Sequence, residues 1–486
     1  MRYLLACLLL TIATTGHAQY SRVQRTQLIS STTAQRFGLD RMWNSQLRVG
    51  PGSEMAGGQL HISAINGTTL FEIVEGKADA TADSPAKPGA VLETVTNRQL
   101  DPFGEVLGKE GAEKKAVLRV AELKQAGRDV SLNTIDVPDM LYVASTTRGI
   151  VQAIDAETGR TRWTTMVGRS TQITTAPAVS NRYVAVISGL HLYVLERDTG
   201  NLLFTRETDG PSVAAPVVND KFVFVLSAGG MMQTYPVDDP KGQVVRYQSY
   251  GRAMVRPIIT PNTVVWPTDK GHFYVAPSQR GGISFRIESD RTAVAPAGYL
   301  APNLLYVVAT DGYVYCVHER SGNILWSYPL AEEVTKQPIA VGDSLYVATE
   351  AGHLYCLDPQ YGTMKWWQDG ISMFVSRSDP YLYCLDRVGR LVTLDAKSGG
   401  RIQTMPDFGF TMAESNSATD RIFLATKSGR IQCLHTIGKR HPQIHVGGEE
   451  TTPTKPAGPA APPAAGGAPA VNPFAPGAGG GAAPAA

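Results

Sequence analysis

Histidine, cysteine and acidic side chains are the groups through which this 486-residue chain would do metal or covalent chemistry, and their spacing speaks against it. Cys316, Cys356 and Cys433 each fall two residues before the His or Asp that ends a strand-like run (His318, Asp358, His435). A free Cys packs as a small hydrophobe, and Ala153 fills the same slot beside Asp155. Recurrence of Asp155, Asp358 and Asp395 at one slot points to turn capping, since a turn wants Asp and a catalytic pair is made only once. His318 and His435 read the same way. His441 and His445 supply two zinc-type ligands without a third. Neither a Gly-x-Ser-x-Gly nucleophile motif nor a phosphate-cradling Gly-rich Lys loop is present. One asymmetry suggests binding. The residue before a recurrent Pro is Ala176, Ala215 and Ala295 in three copies but Arg256 and Gln337 in two. Solvated loop charge is the simpler reading of Arg256; the alternative is that, with Arg252 and Lys336, it makes one side of the channel mouth basic.

The elements that position these residues repeat. Leu304–Trp326 and Ser344–Trp366 are two copies of strand, tight turn, strand, Gly turn, strand, with Gly312 and Gly352 forty residues apart. Turn glycines recur at Gly149, Gly189, Gly230, Gly271, Gly312, Gly352, Gly389 and Gly429. Prolines recur at Pro177, Pro216, Pro257, Pro296 and Pro338, where a missing N–H costs no ladder bond. Short strands at a period near forty read as propeller blades, whose apolar faces are buried only by stacking. Eight copies predict an all-β, eight-bladed β-propeller over 128–437. An aromatic follows the last turn Gly by four residues at Trp163, Phe204, Phe285, Trp326 and Trp366, read as rings that dock one blade on the next. Arg246 and Gln403 take that slot in the third and seventh copies, which are weaker.

The flanks differ. Arg2, the apolar run Leu4–Ile12 and Gly16-His17-Ala18 read as a signal peptide over 1–18, with Cys7 too early for a lipid anchor. The N-terminal extension, 19–127, contains a short helix over Thr33–Trp43, a hairpin over 58–74 turning at Asn66-Gly67, a linker, and a helix over 109–126. Ala116, Val117, Val120 and Leu123 are assigned to the buried face of that last helix. A Pro/Ala/Gly-rich tail over 438–486 is expected to be disordered. Net charge of +2 and the absence of a long Lys/Arg run argue against a nucleic-acid partner. No segment after the signal is long and apolar enough to span a bilayer.

These repeats resemble the pyrrolo-quinoline-quinone-like (PQQ-like) repeat. Its pattern Ala-x-Asp-x-x-Thr-Gly-x-x-x-Trp is complete at Ala153–Trp163 and partial at Cys316–Trp326 and Cys356–Trp366. The resemblance implies one of two roles. Quinoprotein dehydrogenases hold their quinone on the axis with an adjacent Cys-Cys disulfide, a stacking Trp, and Glu, Asn and Asp ligands for calcium. Non-catalytic scaffolds are similar to the outer-membrane protein assembly factor BamB. This sequence has no adjacent Cys pair. The expectation is therefore a secreted, monomeric, non-enzymatic scaffold of the bacterial envelope, periplasmic or extracellular, with a protein partner and no cofactor. The alternatives are a PQQ-dependent oxidoreductase and a polysaccharide or small-ligand binding module. The eighth copy lacks an outer strand. Gly67-to-Phe71 has the right offset, so Thr68–Val74 is expected to pair with 430–435 and close the ring; the alternative is that residues 60–74 form a separate hairpin outside it.

Overall fold

The computed structural model describes residues 28–75, 91–97, 99, 105, 107–212, 214–289 and 291–445. The expected signal peptide, much of the linker and the tail beyond 445 lie outside the described residues. Among those described, eight antiparallel sheets succeed one another around the ring, seven of four strands and one of five. Blade 2 shows the plan. Ala178–Val179 is innermost, followed outward by Tyr183–Ser188, His191–Glu196 and Leu202–Glu207. Blades 3 to 7 repeat it over 217–248, 258–288, 298–329, 339–369 and 373–404. The second strand of a blade is covered on both faces by neighbouring sheets, so Tyr183–Ser188, Leu304–Val308 and Ser344–Ala348 are buried throughout. Continuous apolar runs in these strands, rather than alternation, follow from that double burial.

Rings lock the blades together. Trp163 is 8% exposed, and its indole N–H donates to the Arg197 carbonyl of blade 2 at 2.7 Å. Gly200 makes this fit. Its φ of +73° suits glycine, and a Cβ there would lie 2.4 Å from the Trp163 ring. Trp326 repeats the contact against Pro359 and Gly362, and Trp366 against Ala396 and Gly399. Phe285 sits under Gly322, and Phe204 packs on the core shared by blades 2 and 3. In the weaker third copy Val245 fills the space under Gly281. We expect Trp163→Ala and Trp366→Ala each to lower unfolding free energy by roughly 3–5 kcal/mol, and Trp326→Ala by less because its ring is partly exposed. Urea denaturation of the three variants measures this. Unchanged midpoints would refute the docking role.

The ring closes on a different strand from the one expected. After the short helix α1 (Ser31–Arg36), capped by Ser30 Oγ accepting from Thr33 N, the chain forms β1 (Leu39–Gln46). This strand is antiparallel to Arg430–Thr436 and supplies the outer strand of blade 8. The helix read over Thr33–Trp43 therefore ends at Arg36, and Trp43 is a strand residue. Trp43 is the docking ring of blade 8: its N–H donates to the Ala156 carbonyl at 2.8 Å, and Gly159 lies under it. Between blades 7 and 8 the amide of Gln403 donates to the Phe37 carbonyl at the end of α1.

Nor does the hairpin over 58–74 form. Residues 55–75 are one strand, β2 (Met55–Glu75), paired along its length with β4 (Val130–Thr146) apart from an irregularity between Ser63 and Thr68. Residues 55–63 are the innermost strand of blade 1, so the ring begins well before the expected boundary at 128. The outer half of this ribbon, with β3 (Val91–Thr96) and α2 (Gly108–Gln125), builds the α/β extension. Phe71, expected in the ring, is buried there with Val95, Ala112 and Ala116. The buried stripe of α2 is narrow and made of small residues, so Val117, assigned to it from sequence, is 52% exposed and Ala112 takes its place.

Residues 438–445, expected to be disordered, form a strap. Buried Arg421 donates to the carbonyls of Lys439 and Arg440, Gln443 N donates to Asp420 Oδ1, and Ile444 bridges to Thr419. His441 Nε2 lies 3.2 Å from Glu72 Oε1 on the extension.

Candidate functional site

Innermost strands line the axis of a propeller. Connections from each outermost strand to the next innermost one open on a single face. Arg252, Arg256, Lys336 and Gln337 all lie in such connections. Arg256 precedes Pro257, which holds it extended at the channel wall. Its Nη2 donates to Gln59 Oε1 of blade 1 at 2.6 Å, and the same oxygen accepts from Val179 N of blade 2 at 3.2 Å. Three blades thus meet at one amide oxygen.

Sequence reasoning missed the groups around Arg256. Glu414 follows the innermost strand of blade 8. Burial pushes its carboxyl up to about 7, against the opposing pull of Arg256. Burial also draws the Arg256 guanidinium below its ordinary value, with Glu414 opposing. These two side chains are partly accessible from the channel yet surrounded by protein, and no ion pair joins them within 4 Å among the described residues. Tyr142 stacks on Phe423 at 5.3 Å, and a Cβ at Gly58 would lie 2.2 Å from its hydroxyl. Gly58 is therefore the residue that leaves room for that hydroxyl. Gln59 and Gly58 escaped notice because 55–63 carries no repeat motif. Glu414 escaped because the seventh and eighth copies lack the X-Pro signature.

Lys336 and Gln337 line one cleft of about 260 Å³ at the mouth. Its apolar walls include Ile339, Tyr346, Met373 and Phe374, and Thr335 and Ser415 add hydroxyls. Lys336 Nζ donates to the Ser372 carbonyl at 2.6 Å, and the Gln337 amide to the Ala297 carbonyl at 2.8 Å. Arg252 is exposed and lies apart from the cleft; its backbone is held by Asp269, N to Oδ1 at 2.8 Å. The structure thus brings Lys336 and Gln337 together, places Arg256 on the axis, and leaves Arg252 further out on the same face.

The turn residues have simple roles. Asp155, Asp358 and Asp395 accept from backbone N–H groups two and three residues ahead, and His318 Nδ1 faces Ser321 N and Oγ. His435 differs: it faces the Thr436 carbonyl, because no turn to a following strand exists in blade 8. His441 and His445 do not pair; His445 Nε2 lies 2.8 Å from the Arg377 carbonyl. All four described cysteines are free and buried, and burial pushes their thiols up. Among the described residues, no group of three or more His, Cys, Asp and Glu is arranged to hold a metal, and no helix is long and apolar enough to cross a membrane. A quinone site of the kind the resemblance implies needs an adjacent Cys pair and several acidic and amide ligands for calcium. Among the described residues, the groups placed here at the axis are Glu414, Gln59, Tyr142 and Arg256, which do not fit it.

The family described as outer membrane protein assembly factor BamB matches residues 147–284 and 263–406, more than half of the chain. Among solved structures, BamB from Moraxella catarrhalis is similar with a TM-score of 0.52 at 16% identity, over 62% of this chain and 92% of that one. The computationally designed Ika8 protein gives 0.51 at 15% identity, over 61% and 93%. At such identities the likeness shows the fold alone. No curated protein matches the sequence at a significant level.

Proposed function

The chain belongs to the family of the outer membrane protein assembly factor BamB, and from that membership we propose that it is a non-catalytic interaction scaffold exported to the bacterial cell envelope. A propeller presents a broad rigid face whose loops hold a partner, and function resides in the site grafted on the fold. The observation that carries the reading is the channel mouth. Lys336 lines a cleft walled by Met373 and Phe374, Arg256 lies on the axis and Arg252 further out on the same face, and none of these three cations is in an ion pair among the described residues. Basic groups around an apolar cleft suit a partner segment with acidic and apolar side chains. The expected location is the periplasm or its outer-membrane face.

A photo-cross-linking residue placed at Gln337 or Lys336 in intact cells tests this. Protein adducts should form from those positions and not from Lys397, an exposed turn residue in a connection of the opposite class. Adducts from Lys397 alone would reject the mouth as the docking face. Saturable dye reduction by purified protein with added quinone and calcium would reject the non-catalytic reading.

A further inference from the structure

Resting on the reading of the mouth as the docking face, we propose that the channel binds a carboxylate, taken by Arg256 on the axis, with the apolar group attached to it lodged in the cleft walled by Ile339, Tyr346, Met373 and Phe374.

Arg256 differs from Arg197, Arg421 and Arg377, arginines held inside this protein with carboxylate partners. Arg197, 1% exposed, is paired with Asp139 and Asp198. Arg421, 0% exposed, is paired with Glu157 and Asp420. Arg377 has Asp343 and Asp379. Arg256 has one hydrogen bond among the described residues, to a neutral amide oxygen. A guanidinium carries five N–H donors in a fork that matches a carboxylate with two parallel bonds. An enclosed charge that forms no direct ion pair with its nearby carboxyl, Glu414, is costly, so an anion entering the channel gains more here than at a surface lysine.

The neighbouring groups favour a carboxylate with a single charge. The Gln59 oxygen is fixed by Val179 N and Arg256, which leaves its amide nitrogen without a partner among the described residues. The Tyr142 hydroxyl has no partner among them either, and it offers a further donor. Arg256 and Tyr142 are the ionisable groups that interact electrostatically with Glu414. Held near 7, Glu414 is largely protonated below neutrality, when it can donate to a guest carboxylate, and it repels that guest once ionised. Ser415, the residue after Glu414, forms one edge of the cleft, so one short segment of chain reaches both the polar site and the apolar one. A cleft of about 260 Å³ suits one aromatic or branched side chain.

The probe is 3-phenylpropanoate, with its neutral amide as control, titrated into the full chain by calorimetry. The acid should bind at least tenfold more tightly than the amide at pH 6. Arg256→Gln should lose at least tenfold in affinity for the acid while melting as the wild type does; Arg256→Lys, which keeps the charge but not the fork, should lose less. Glu414→Gln should tighten binding at pH 8 and leave it unchanged at pH 6. Equal binding of acid and amide, unaltered binding by Arg256→Gln, or no binding of the acid at all would overturn the proposal. A hexapeptide ending in Phe, with free or amidated terminus, identifies the source. Tighter binding of the free-ended peptide assigns the guest to a partner's chain end, and binding of the small acid alone assigns it to a free carboxylic acid. Partner adducts at Gln337 without carboxylate binding would defeat this proposal and leave the scaffold reading standing.

Discussion

A chain lacking residues 28–46 should fail to form the closed ring. It should lose its cooperative melting transition and elute as aggregate. Strand β1 makes seven paired positions with Arg430–Thr436, and without it that strand becomes an open edge. Open edges recruit other chains. The deletion also removes Ile29, Ala34 and Leu39, all at most 1% exposed, and Trp43 at 7%. Losing the Trp43 ring alone corresponds to roughly 3–5 kcal/mol, against a total domain stability of about 5–15 kcal/mol. Adding Ile29, the paired strand and the Gln432 side chain, which bonds Ile29 at both N and O, takes the loss past what the fold can bear. The measurement is size-exclusion chromatography with thermal melting, and Trp43→Ala serves as the milder variant. A monomeric truncated chain melting within a few degrees of the full one would refute closure by β1.

Trp43 also shows why the ring was legible in sequence and its closure was not. The forty-residue repeat reveals blades whose four strands are contiguous, and blades 2 to 7 are of that kind. Blade 8 draws its last strand from the far end of the chain, where no neighbouring copy reveals it. The offset of four from Gly to aromatic was the wrong guide. The structure shows that a turn Gly serves the ring of the preceding blade: Gly200 seats Trp163, Gly362 seats Trp326 and Gly399 seats Trp366. Trp43 therefore needs no Gly four residues before it, and its seat is Gly159 in blade 1. What Trp43 does share with other docking rings is a register shift just before the ring, between Arg41 and Trp43 as between Leu202 and Phe204. Gly67 and Phe71 matched the offset by chance and belong to the extension. The site divides the same way. Arg256 and Gln337 stood out because they break a repeat, whereas Gln59, Tyr142 and Glu414 reach the axis through tertiary structure alone.

Asp139→Ala should destabilise the protein by roughly 3–5 kcal/mol at pH 7, because it strands buried arginines without their counter-charge. Asp139 lies opposite Ser63 where β4 passes from the extension into blade 1. Its Oδ1 accepts from Arg162 Nη2 at 2.6 Å, and its Oδ2 lies 2.8 Å from Arg197 Nη2. Side-chain exposures of 2% for Asp139 and 1% for Arg197 keep water from screening the pair. Arg162 retains Asp155 at 2.6 Å when Asp139 is removed, but among the described residues Arg197 keeps only Asp198, whose side chain is 57% exposed. Burial raises the Asp139 carboxyl, yet Arg162 and then Arg197 more than offset it and hold it at about 2. A folded-state value below the ordinary 3.8 means the unfolded chain binds the proton more readily. The stabilisation is therefore complete above pH 4 and is lost as pH falls toward 2, about 2–3 kcal/mol over that window. Wild-type stability should drop across that range more steeply than that of Asp139→Ala, and urea denaturation at pH 7 and pH 3 measures both. Equal losses in the two proteins, or a cost under about 1 kcal/mol at pH 7, would show that the arginines find other partners. Loss of the network should also free the extension from the ring, seen as faster amide exchange in β3 and α2 while blades 4 to 6 keep their protection.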